Sequence, residues 1–583
     1  MRFSNLVSFL TLLFISPFAF SQTWNGLGPN GNWSTNGNWD TAAPISGAAV
    51  TMAGTTNLAT IQDIPLLSLS SLTFDSTAGA FTVSGGTLEI ANAGSLIHNG
   101  NLDVSITTPL TFAGNATIGG NGDGLLILGT TAFQNGSVSI NRNVTIGDMT
   151  IGVPSGTAVT LNTGSNVLTM AGNLTFVSQS GSNLNTPPAT INGNIDLGGA
   201  NRTFSGNFSN APSPFIDVII NAVITGDGGF VKGGVGTEHA AFMFTAQNTY
   251  TGPTILETDS EFLYLGAVNA IPNTSAVTVS SGSILSLTSQ NPVVTGNNGF
   301  SQTIGSLRDG NTGGGTVYIG QNNAATVLTT GGDNSSTTFS GQLLGGGSLV
   351  KVGSGTFILA NNNSGAQSNY LSGTIVNGGT LLVNGQTGTN SGTGSGTVTV
   401  NTGATFGGNG RAAGAVTISS GGTIRGGDAS AVGTLTLGGG LSVQAGGNVA
   451  VRVTGGSSAA ANSGGSSGGT LPNPANNNFI DVTGGTIDWN NANFVIDGTG
   501  TSFTLNSPYS YQIARQGTSL TSLNILDQSR FSTVGFVASS FSVTGDSNGV
   551  AYLNFTPVPE PIFMATIAVA GVVGYRRFRS IRA

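Results

Sequence analysis

The sequence predicts an all-β protein: a right-handed parallel β-helix, or solenoid, with an N-terminal signal helix and a C-terminal transmembrane helix. Three observations predict it. The chain of 583 residues holds 93 Gly, no Cys and only 7% charged residues, so neither disulfides nor dense ion pairing can carry its stability. Short runs of Val, Ile, Leu, Thr and Phe alternate with Gly, Asn and Ser, a composition that suits strands and disfavours disorder. The body also repeats itself, which points to stacked equivalent units.

The two ends read as addresses. Arg2 precedes an apolar run over residues 6–20, and Ala19 and Ser21 place small residues before Gln22. That order marks residues 1–21 as a secretory signal peptide, removed to leave a chain starting near Gln22. At the other end Pro557-Val558-Pro559-Glu560-Pro561 is followed by an uncharged apolar run, 562–575, and then by Arg576, Arg577 and Arg579. The prolines keep the segment around Glu560 extended. The apolar run can enter a bilayer, and the arginines stop it and stay cytoplasmic. As a helix it spans roughly 21 Å against a hydrocarbon core of about 30 Å, so snorkelling arginines or local thinning must make up the difference.

Val-Pro-Glu-Pro, a short apolar helix and a terminal arginine cluster resemble the PEP-CTERM sorting signal of Gram-negative bacteria. The resemblance covers about 25 residues, 557–583. It implies an exosortase-type membrane enzyme as a processing partner, with Pro559, Glu560 and Pro561 as the sorting motif. It further implies a precursor anchored in the inner membrane, a mature form at the cell surface or outside it, and an association with exopolysaccharide and biofilm matrix.

The body repeats at an offset of 119 residues: Gly226 to Thr237 matches Gly345 to Thr356. The only two lysines, Lys232 and Lys351, take the same place in the two copies, and Tyr250 and Tyr370 follow in matching Asn-Tyr-Gly elements. This pattern, with Gly-Gly-Thr-Leu after the second copy at Gly378, resembles the autotransporter-associated β-strand repeat. The resemblance is good over residues 225–500 and compositional over 50–224. It lacks one part of the autotransporter pattern, since no terminal β-barrel fits between residue 500 and the sorting tail.

The expected organisation follows. Residues 22–49, with Trp24, Trp33 and Trp39, form an N-terminal cap, with a sugar-stacking platform as the alternative. Residues 50–224 and 225–500 form the β-helix, interrupted by a low-complexity loop at 455–478; 501–556 is a closing β segment and spacer. In strands such as those around Val416-Thr417-Ile418 and Leu435-Thr436-Leu437, apolar residues face in and Thr or Ser faces out. Gly and Asn permit the corners, and a coil takes roughly twenty-odd residues. Both lysines should then occupy equivalent positions, about four to six coils apart.

Little in the sequence suggests chemistry. Over residues 22–556 there are 22 acidic and 10 basic side chains, which argues against nucleic acid, a ligand that needs a basic face. His98 and His239 lack a metal-ligand spacing. The best acidic group is Glu257, Asp259 and Glu261. On one strand, period two would put all three on one face, as a weak cation or sugar site or as an outward solvated face. Gly119-Gly-Asn-Gly-Asp123 is similar to a calcium β-roll nonapeptide, but its Asp comes one position early and it does not repeat. The expected function is a non-enzymatic structural or adhesive surface protein without cofactors. A carbohydrate-active β-helix enzyme or a glycan-binding module is the alternative.

Overall fold

The computed structural model describes residues 21–152, 157–178, 188–207, 216–233, 240–257, 261–289, 299–320, 325–360, 370–385, 389–454, 476–489 and 491–559. The expected signal segment and the transmembrane run 562–575 therefore lie outside the described residues, as does the low-complexity loop up to residue 475. The chain is all-β, with parallel sheets. Among the described residues the helical turns are two three-residue 3-10 turns, Asn36–Asn38 and Gln528–Arg530. Two compact units divide it, one over residues 1–212 and 217–228, the other over 213–216 and 229–583.

In the first unit, strands pair in parallel with strands about one coil further on. The offset ranges from 18 residues (Ala132 with Thr150) to 30 (Thr175 with Ser205). Alternation drives the stacking. The strand Leu110–Phe112 buries its first and third side chains and leaves Thr111 half-exposed. Each buried side chain then sits over its equivalent in the next strand. One column runs Leu69, Ile90, Phe112, Phe133, Ile151 and Phe176. A second runs Val50, Leu72, Leu96, Ile118 and Ile140. A third runs Val83, Ile106, Leu128, Ile146 and Met170. All are buried, and Phe112 stacks on Phe133 with centroids 5.2 Å apart. Full burial of one such side chain is worth about 1.5–3 kcal/mol, so the core is a line of small contributions rather than one centre.

The corners carry polar groups with a defined job. Backbone N–H groups that leave the ladder are bonded by side chains from the neighbouring rung. Asn92 Oδ1 accepts from Asn115 N (2.9 Å), Asn115 Oδ1 from Ser137 N (2.7 Å), and Asn143 Oδ1 from Val167 N (2.9 Å). Asn162, Asn192 and Asn221 bond side chain to side chain at 2.7 and 2.9 Å. A short carboxamide at a fixed corner bonds the N–H of the next rung and ties the two rungs together.

In the second unit the same rule holds, and its later described strands form three stacks. One contains Val327–Thr330, Ser348–Lys351, Thr374–Val376, Val398–Val400 and Val416–Ile418. Another contains Thr337–Phe339, Thr356–Leu359, Thr380–Val383 and Thr405–Gly408. The third runs Arg411–Ala412, Thr434–Leu437, Phe479–Val482 and Tyr509–Gln516. The chain resumes after the low-complexity loop at Asn477, which bridges antiparallel to Val453.

Here the parallel pattern ends. Tyr509–Gln516 pairs antiparallel with Val550–Pro557, which pairs antiparallel with Ala538–Gly545. Phe494, Phe531 and Phe541 stack in succession at 5.5 and 5.3 Å, and Phe555 lies 6.0 Å from Phe541. The last strand runs on to Pro557, and its alternate residues Ala551, Leu553 and Phe555 are buried.

Candidate functional site

The outer face of three successive strands in the second unit forms a groove of about 650 Å³. Thr254–Leu256, Ala276–Val279 and Ser306–Asp309 stack so that Ile255, Thr278 and Arg308 are register partners. Because Leu256, Val279 and Leu307 point inward, their neighbours must point out. Glu257, Ser280, Asp309, Gly310 and Asn311 complete the lining. Arg308 donates from Nε to Thr278 Oγ1 at 3.1 Å. Asp309 Oδ1 accepts from Ser340 N at 2.7 Å, which commits that oxygen to holding the next turn. Glu257 is exposed, while its backbone N–H bonds Lys232 O at 3.0 Å. Two rungs separate Glu257 from the level of Asp309, about 10 Å at strand spacing. The surface can offer hydroxyl, guanidinium, amide and carboxylate groups to a polar ligand.

The acidic trio does not sit on one face. Leu256 ends one strand and Phe262 begins the next, so Glu257 and Glu261 adjoin two different strands and period two does not relate them. Glu257 faces out, and Glu261 is fully buried and ion-paired with the fully buried Lys232. Asp259 lies outside the described residues. A buried carboxylate beside an ammonium is a charge-neutral bracket within the core. The Lys232 Nζ also lies 5.0 Å from the Phe242 ring centroid. Among the described residues no group of three or more His, Cys, Asp or Glu is placed to hold a metal ion.

Both lysines are inward and buried, and their local register is the same. Phe230 pairs with Thr254 and Lys232 with Leu256; Leu349 pairs with Thr374 and Lys351 with Val376. The following tyrosines match as well, Tyr250 bonding Thr254 Oγ1 at 2.6 Å and Tyr370 bonding Thr374 Oγ1 at 2.5 Å. Burial pushes both phenols above their ordinary range. Their partners differ. Lys351 donates to the carbonyls of Val352 (2.6 Å), Gly353 (3.1 Å) and Gly378 (3.3 Å). Burial lowers its pKa to about 8, partly countered by Asp333. The two copies also belong to different stacks. The stack of Lys232 leads through Ser306–Asp309 to Ser340, whereas Lys351 lies in that of Val327–Thr330.

In the first unit, Asn121 N bonds Asn99 Oδ1 at 3.0 Å and Leu125 N bonds Asp103 Oδ1 at 2.8 Å. The Gly119–Asp123 stretch is thus a stacked corner. Arg142, which sequence reasoning missed, donates to the carbonyls of His98, Gly122 (3.3 Å) and Gly124 (2.5 Å). Its guanidinium gathers carbonyls from two rungs, as a cation would. His98 is buried against Phe74; His239 lies outside the described residues. Burial holds the His98 imidazole below its usual range, the Arg142 charge adding to the effect and Asp103 opposing it.

The tryptophans form an inward cluster. Trp24 and Trp33 meet Trp39 edge-on at 5.1 and 5.7 Å, all three buried, and Trp39 Nε1 donates to Trp33 O at 2.7 Å. All three rings are thus buried inside the fold rather than presented at its surface. Of the sorting motif, Pro559 is described and exposed. Glu560, Pro561, Arg576, Arg577 and Arg579 lie outside the described residues. Compared with known proteins, the chain matches no family model and no curated protein.

Proposed function

We propose that the chain is an exported, non-enzymatic surface or matrix protein. Its body is a right-handed parallel β-helix, and a C-terminal signal of the PEP-CTERM kind moves it from the inner membrane to the cell surface. The observation that carries this reading is where the polar side chains are spent. Asn92, Asn115 and Asn143 tie one rung to the next, Asn162, Asn192 and Asn221 form a ladder, and Lys232 is locked to Glu261. Such polar groups hold neighbouring strands together rather than gather as reactive groups. The three inward columns and the parallel offsets of one coil support the β-helix, and the general preference of parallel crossovers makes it right-handed.

In this reading residues 1–21 direct export. Residues 562–575 hold the precursor in the inner membrane, Arg576, Arg577 and Arg579 stop it, and an exosortase-type enzyme acts at Pro559-Glu560-Pro561. Exopolysaccharide is the expected surrounding matrix. In the native host, Glu560→Ala should leave full-length protein in the inner membrane and remove the smaller form from the surface fraction. Equal surface amounts of wild type and variant would overturn the reading.

One observation favours a second reading, a carbohydrate-active enzyme or glycan-binding module: Glu257 and Asp309 line a single groove. The Glu257→Gln and Asp309→Asn variants test it. Release of reducing sugar by the wild type that both substitutions abolish would establish the enzyme. Glycan binding without release, lost in the same variants, would establish the module.

A further inference from the structure

We infer that the end of the closing sheet, where the last strand leaves the fold, is a docking face for the surface of a lipid bilayer. The inference rests on reading residues 562–575 as a membrane anchor, but the face itself is built from other residues. Val550–Pro557 is a central strand, paired antiparallel with Tyr509–Gln516 and with Ala538–Gly545. Its end is tied to two neighbouring segments: Asn506 N donates to Pro557 O at 2.8 Å, and Val558 N to Val537 O at 2.9 Å. The side chains gathered there are apolar. Phe503 and Phe536 meet with centroids 4.7 Å apart, and they lie 5.6 and 5.1 Å from the ring of the buried Phe555. Both nevertheless stay half-exposed. Gly498 N donates to Val534 O at 3.0 Å, and a Cβ added at Gly498 would lie 2.8 Å from each of the Phe503 and Phe536 rings. Val534 thus belongs to the same end of the sheet. It is 50% exposed, as is Leu505, while Val537 and Val558 are half-exposed.

No charged residue occurs in 498–514 or in 531–545, so these segments can lose water without stranding a charge. An exposed apolar patch marks a contact with protein or with membrane. Chain connectivity selects the membrane. Only residues 559–561 separate Val558 from the apolar run, and three residues reach at most about 10 Å. The headgroup layer on each side of the hydrocarbon core is about 5–8 Å thick. An anchored chain therefore holds Phe503, Leu505, Val534 and Phe536 within reach of the headgroups and the upper acyl chains. Apolar side chains gain by entering that boundary to a depth of about 5–10 Å. On so short a tether even a weak contact is well populated, because the second binding event is intramolecular. The contact would set how the sheet stands on the membrane, and release of the anchor would free the face.

The chain has no cysteine, so a single substitution places a dye at one site. The full chain from residue 22 is reconstituted in phosphatidylcholine vesicles with a polarity-sensitive dye at Leu505→Cys or at Val534→Cys. The emission of either should be blue-shifted, and quenched by lipid that carries a quencher on its acyl chain. The same dye at Ile375→Cys should show neither effect. That exposed site lies four strands before the end of its own stack, which runs on through Thr399, Thr417, Ser442 and Asp488. Equal quenching at Ile375→Cys would overturn the inference. Leu505→Glu, a change at an exposed position, should release the Val534→Cys dye from the quencher while the chain stays on the vesicles. Quenching unchanged by Leu505→Glu would mean that the tether alone sets the distance, and would also overturn it. A blue shift without quenching would mean that a second copy covers the patch, with the same consequence. A chain that floats with the vesicles and leaves both dyes unquenched would remove the contact and spare the anchor reading. A chain that does not float with them would sink both.

Discussion

Glu261→Gln breaks the charge balance of the most deeply buried ion pair, and its consequences can be worked through. Lys232 and Glu261 are both fully buried, so the neutral amide leaves an ammonium in the core with its counter-charge gone. Removing one member of a buried pair costs about 3–5 kcal/mol. The Phe242 ring lies 5.0 Å from Lys232 Nζ in the wild type as well, so it does not offset that loss. Each of these strands is bonded to its parallel neighbours, so the loss should be local. Hydrogen exchange is then the right assay. At roughly 1.4 kcal/mol per tenfold change, the amides of Phe230–Lys232 and Thr254–Glu257 should exchange about two to four orders of magnitude faster. Amides of Val398–Val400 should be unaffected. The double variant Lys232→Met/Glu261→Leu should recover most of the protection, since apolar isosteres replace a buried pair at little cost. Exchange within threefold of wild type in Glu261→Gln would refute the bracket.

Three further outcomes are expected. Trp33→Ala empties a fully buried site in the cap and should cost about 3–5 kcal/mol, read as loss of exchange protection in Ser21–Trp24 and Ala49–Met52. The folded state lowers the pKa of His98, so the unfolded chain binds the proton more readily; stability is full above about pH 6.5 and falls as the pH drops below it. Thermal melts between pH 7.5 and 5 should show that slope, and His98→Gln should flatten it. At Gly122 an added Cβ would lie 1.9 Å from Gly100 O, whereas at Gly164 nothing lies within 4 Å. Gly122→Ala should therefore lower the melting temperature more than Gly164→Ala, although Gly164 has a positive φ of 57°.

The strands were legible because alternation is a local signal. Val416–Ile418 and Thr434–Leu437 bury the residues their pattern says they should. The matching local register of Lys232 and Lys351 was legible too, since both copies carry the same pattern around the lysine. What a linear reading could not supply was which coil positions meet. Glu257 and Glu261 looked like neighbours on one strand, but Leu256 ends one strand and Phe262 begins the next, and Glu257 is exposed while Glu261 is buried. Conversely, Glu257 and Asp309 lie far apart in the sequence and line one groove, since each coil returns the chain to the same face. Arg142 gave no motif at all. Its role depends on carbonyls brought together by stacking, and nothing in the surrounding Asn-Arg-Asn announces them. The two lysine copies lie on different stacks because the repeat need not contain a whole number of coils.

The intact mass of the mature protein from its own host tests the central claim most directly. An exported β-helix sorted by its tail should have a mass that begins near Gln22 and ends between Pro559 and Pro561. A surface form whose mass still includes residues 562–583 would mean that the anchor is permanent, and would contradict the account.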